Sequence, residues 1–120
     1  IQYTYTRIKS VLRKAEQSGI HIKIPELSLI KPVAKELDLV KLLSKFSEIV
    51  SAAASEYSPA LIANYCYDLA REYNQFYHDY SILGEAEHTK RDFRLVLSRL
   101  TSEVLLTGMW LLGIEMPERM

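Results

Sequence analysis

Residues 58–80 read SPALIANYCYDLAREYNQFYHDY, the longest regular pattern in the chain and the one around which the rest arranges itself. Ser58-Pro59 is a helix start: a residue type that caps first turns, then proline at the first helical position. From there Ile62, Tyr65, Leu69, Tyr73, Phe76 and Tyr80 recur at steps of three or four. That spacing lays them along one side of a helix, which the pattern predicts to run to about Tyr80.

Other helices follow on both sides. Upstream, Ile1, Tyr5, Ile8, Leu12 and Ala15 mark a first helix that Gly19 stops. A loop runs through Pro25 to Pro32, and its Ile22, Ile24, Leu27, Leu29 and Ile30 predict a loop packed on the body. From Pro32 a short second helix turns Leu37, Val40 and Leu43 inward, and Phe46, Ile49, Val50 and Ala53 mark a third that ends near Glu56. Downstream, Ser81 to His88 is a turn containing Gly84. A last long helix puts Phe93, Leu97, Leu100, Val104 and Leu111 on its inner face and ends near Gly113, before the tail Ile114 to Met120. Strand alternation and internal repeats are absent. The expectation is an all-α antiparallel bundle of about five helices, one domain over residues 1–120.

Composition agrees with a folded domain: 120 residues, 48% hydrophobic and 25% charged. No apolar run approaches the roughly 18 residues that span a bilayer, so no membrane partner is expected. Cys66 stands alone, which excludes an internal disulfide and suits a reducing, cytoplasmic setting. His21, His78 and His88 have no metal-ligand spacing, and no catalytic triad is discernible. The chain begins with Ile1 rather than Met, so excision from a longer protein is expected.

Formal net charge is zero, but residues 1–25 carry a local +4 from Arg7, Lys9, Arg13, Lys14 and Lys23 against Glu16. That concentration suits a small contact on phosphate better than a long basic groove.

Three segments taken together resemble one family. Tyr3, Arg7, Ser10-Val11 and Arg13-Lys14 are similar to the stretch that opens the C-terminal domain of arginyl-tRNA synthetases. Pro59, Tyr65, Leu69-Ala70 and Phe76-Tyr77 resemble its middle, and Gly108, Leu111 to Ile114 and Pro117 to Met120 its end. The resemblance implies a helical domain that holds the anticodon loop of tRNA(Arg), attached to a class I ligase catalytic domain of the same chain. It implies no cofactor here, because ATP and arginine bind the missing catalytic domain. His21-Ile22-Lys23-Ile24 and Lys41 to Lys45 do not amount to the family's HIGH and KMSKS catalytic motifs, so the piece by itself should lack ligase activity and has no catalytic residues.

Every arginine codon has G in the middle, so such a domain meets a C in the middle of each anticodon. Unpaired bases are held by stacking on aromatic planes and by hydrogen bonds to their edges. On the first helix Tyr3, Arg7, Ser10 and Lys14 fall within about 60° of one another, opposite the apolar stripe. Tyr3 there serves either a stacked base or a contact with the missing domain. The resemblance assigns it to the anticodon, and Tyr77, at the margin of its stripe, likewise. Met120 is the third candidate, with a polarizable side chain and a terminal carboxylate. The RNA-binding set is therefore Tyr3, Arg7, Lys14, Tyr77 and Met120. Tyr65, Tyr73 and Tyr80 read as core, and Trp110 as core or interdomain contact. A competing reading is a protein-interaction bundle without RNA, using Tyr67, Arg71 and Trp110.

Overall fold

The computed structural model describes residues 1–119, apart from the side chain of Leu27. Its α-helices are α1 (Gln2–Gln17), α2 (Ala34–Ser44), α3 (Phe46–Glu56), α4 (Pro59–Asp79) and α5 (His88–Leu111), with one 3-10 turn at Leu27–Leu29. No strand occurs among the described residues.

The tyrosine-rich helix α4 is the axis of the bundle. Its face of Ile62, Tyr65, Leu69, Tyr73 and Phe76 is buried against neighbours on several sides. The Tyr65 hydroxyl donates to the carbonyl of Leu42 at 2.7 Å, tying α2 to α4. Tyr73 shares a 2.8 Å hydrogen bond with Ser98 of α5, so this buried hydroxyl is satisfied. Helix α5 runs antiparallel to α4: Ser98 meets Tyr73, and Gly108 meets Cys66 and Ile62. At Gly108 a Cβ would lie 2.6 Å from Cys66 Sγ, so only glycine permits this approach.

The helix ends are local and legible. Gly19 and Gly113 take φ of 76° and 77°, the left-handed conformation that closes a helix. Ile20 N–H donates back to Ala15 O, and Ile114 N–H to Met109 O, both at 2.9 Å. Ser58 precedes α4 as expected, yet its side chain makes no capping hydrogen bond.

Two helices are rotated from the expected phase. In α2 the buried residues are Glu36 and Leu39, while Leu37 and Val40 are exposed. The cause is a buried ion pair. Arg94 Nε donates to Glu36 Oε2 at 3.0 Å, and the second Glu36 oxygen accepts from Val33 N–H at 2.8 Å. Arg94 also reaches Ser81 O and Glu85 Oε2, which closes the turn between α4 and α5. In α5, Leu97 is buried and Phe93 and Val104 partly so, but Leu100 and Leu111 are exposed. The middle of the inner face is Leu95, Ser98, Thr101, Leu105 and Gly108. Its hydroxyls are quenched by the helix itself, Ser98 on Arg94 O and Thr101 on Leu97 O, each at 2.8 Å. The loop after α1 is only partly packed: Ile22 and Ile30 are half-buried, whereas Ile24 and Leu29 are exposed. Trp110, 71% exposed, is not a core residue.

Candidate nucleic-acid interface

α1 and α4 meet through a polar cross-link. Asn74 of α4 donates from Nδ2 to the buried Thr4 hydroxyl at 2.8 Å and accepts at Oδ1 from Arg7 Nη1 at 3.1 Å. Asn74 thereby fixes where the Arg7 guanidinium sits. That group lies 4.9 Å from the Tyr3 ring centroid and 4.6 Å from that of Tyr77, within cation–π range of both. Arg7 Nη2 also donates to Tyr3 Oη at 3.2 Å. The result is one cationic plane shared by two tyrosines from two helices.

Behind Tyr77 stands the buried Tyr73, with ring centroids 6.3 Å apart. Burial raises the Tyr73 phenol well above its ordinary value, so it stays neutral and serves as a fixed wall. Tyr3 is 61% exposed, which leaves one face of its ring open to solvent.

Tyr3, Arg7 and Tyr77 line a hollow of about 640 Å³ that continues along α1 past Arg13 and Lys14 to Arg119. Among the described residues no carboxylate lines it, and none of their carboxylates lies in ion-pair range of Arg7, Arg13, Lys14 or Arg119. The C-terminal tail returns along α1 to bring Arg119 there. Gln2 Nε2 donates to Glu115 O at 3.3 Å, and Arg13 Nη1 to Glu118 O at 3.4 Å. No cluster of three potential metal ligands exists among the described residues. The arrangement offers planar stacking surfaces and positive charge.

Of the residues singled out from sequence, Tyr3, Arg7, Lys14 and Tyr77 come together in this one hollow. Met120 lies outside the described residues. Arg13, Asn74 and Arg119 were not singled out. Arg13 is about 80° from Tyr3 on a helical wheel, and Arg119 depends on where the tail lies. Asn74 stands within the stretch that carries the family resemblance, but neither its residue type nor its spacing marks it as the group that fixes Arg7. Among the described residues no helix is long and apolar enough to cross a membrane.

Comparison with known proteins places this geometry. The family described as DALR anticodon binding domain matches residues 1–120. Over the whole chain, identity is 52% to an arginine–tRNA ligase of Phocaeicola vulgatus and 53% to one of Parabacteroides distasonis. The chain spans 20% of the length of each. Among solved structures, Thermus thermophilus arginyl-tRNA synthetase superposes with a TM-score of 0.85 at 36% identity, covering 99% of this chain and 20% of that one. A putative arginyl-tRNA synthetase from Campylobacter jejuni, 23% identical, shares the fold with a TM-score of 0.85 over 99% of this chain and 25% of its own. With its full length matched and its helices superposed, the chain belongs to the DALR anticodon-binding domain family.

Proposed function

We propose that this chain holds the anticodon loop of tRNA(Arg) in the hollow between α1 and α4, as the C-terminal domain of an arginine–tRNA ligase. The observation that carries the reading is the Arg7 guanidinium held between Tyr3 and Tyr77 in a basic hollow. An unpaired base stacks on the open face of Tyr3, a contact worth roughly 1–3 kcal/mol. Arg7, Arg13, Lys14 and Arg119 neutralise phosphates of the loop, and carbonyls of the tail offer acceptors for a cytosine amino group. ATP-dependent arginylation belongs to the catalytic domain of the full-length protein. This domain contributes by fixing the far end of the tRNA, so that the acceptor end arrives in one orientation.

Substitution at Tyr3 in the full-length protein tests the reading. Tyr3→Ala should weaken tRNA(Arg) binding about 5- to 150-fold, the equivalent of one stacked base. Tyr3→Phe keeps the plane and loses only the exposed hydrogen bond from Arg7, so about 2- to 5-fold is expected. Equal and negligible losses from both would remove Tyr3 from the site. A protein-interaction bundle is the second reading, favoured by the exposure of Tyr67 and Trp110. It predicts binding that ignores salt, whereas phosphate contacts make affinity fall steeply as salt rises.

A further inference from the structure

The outer side of α5 presents a problem that the RNA hollow does not solve. Residues 104–114 read VLLTGMWLLGI and contain no charged residue. Leu105, Gly108 and Met109 face the core, but Leu106, Trp110 and Leu111 face outward and are exposed, as is Ile114 just beyond. A helix that is apolar on all sides is normally covered on all sides, and a clustered exposed apolar surface marks a contact.

We propose that the polypeptide preceding this domain in the full-length protein, its catalytic body, packs on this end of α5 with Trp110 as the anchor. The proposal rests on the reading of the chain as the C-terminal part of a longer ligase. The chain matches about the C-terminal fifth of its curated relatives, and in those proteins four fifths of the polypeptide precede the part matched from Ile1 onward. Ile1 is at the same end of the molecule as the apolar face, because Gln2 reaches Glu115, next to Ile114. On the other flank Ile1 shares a groove with Tyr67, itself 59% exposed, and with Arg71. The incoming chain therefore emerges between two exposed aromatics. The hollow assigned to RNA starts at Tyr3 and continues down α1 to Gln17, so both surfaces can be occupied at once.

Site-specific photo-cross-linking of the full-length protein, without RNA, tests this. Benzoylphenylalanine is placed at Trp110 and, as a control, at exposed His88, the opposite end of α5 and about 33 Å away at 1.5 Å per residue. The proposal expects an intramolecular cross-link from position 110 to peptides outside these 120 residues, and none from position 88. No cross-link from position 110, or cross-links only between copies, would overturn it. Because no RNA is present, the result is independent of whether Tyr3→Ala impairs tRNA binding, and the two readings fail separately.

Discussion

Replacing Arg7 by lysine separates the shape of the side chain from its charge. The guanidinium sits 4.9 Å and 4.6 Å from two ring centroids and donates to Tyr3 Oη and Asn74 Oδ1 at 3.2 Å and 3.1 Å. A lysine ammonium keeps the charge and has neither the plane nor the fork. Each cation–π contact at a partly exposed site is worth about 0.5–1 kcal/mol. Losing both lets Tyr3 and Tyr77 drift from the geometry that receives a base, for a total of about 1–2 kcal/mol. In the full-length protein that corresponds to a Kd for an anticodon stem-loop raised about 5- to 30-fold. The slope of log K against log salt should not change, because one cation remains. Arg7→Met should weaken binding at least as much and also flatten that slope by about 0.7, the share of one phosphate on a single strand. Fluorescence anisotropy of a labelled stem-loop at several salt concentrations reads both quantities. Wild-type affinity in Arg7→Lys, or an unchanged slope in Arg7→Met, would exclude this role for Arg7.

Two further outcomes test the fold beneath the site. Arg94→Met leaves the Glu36 carboxylate, 2% exposed, without its cation, and breaking such a buried pair costs about 3–5 kcal/mol. Urea unfolding should show that loss, and adding Glu36→Gln should recover a large part of it; a double variant no better than the single one would contradict the account. Burial raises Cys66 to about 11 from 9.0 and Tyr65 to about 12 from 10.0. The folded chain keeps protons that the unfolded chain releases, so this stability is complete below about pH 9 and is lost as pH climbs through 11 to 12. Unfolding free energy measured from pH 8 to 11 should decline, and Cys66→Ala should remove the part that begins near pH 9.

Much of this molecule was legible in its residue order, for reasons that differ from helix to helix. Helix α4 was readable because its inner face is made of large apolar and aromatic side chains at helical spacing, and α1 because Gly19 ends it. The phases of α2 and α5 were not, because their inner faces contain Glu36, Arg94, Ser98 and Thr101. Hydropathy places such residues outside, and only their hydrogen bonds, Glu36 with Arg94, Ser98 with Tyr73 and Thr101 with the Leu97 carbonyl, allow them inside. At the site, the wheel of α1 brought Tyr3, Arg7 and Lys14 to one face. The approach of Tyr77 to Arg7 follows from packing between helices far apart in sequence, and only the family resemblance pointed to it. Arg119 depends on the path of the tail, which has no periodic pattern to read.

The assignment of the hollow is tested most directly by base discrimination. The Kd of the full-length protein is measured for stem-loops with C or U at the middle anticodon position, in the wild type and in Tyr3→Ala/Tyr77→Ala. The wild type should prefer C, and the double variant should bind both weakly and nearly alike. Undiminished preference for C in the double variant would show that the base is read somewhere other than between α1 and α4.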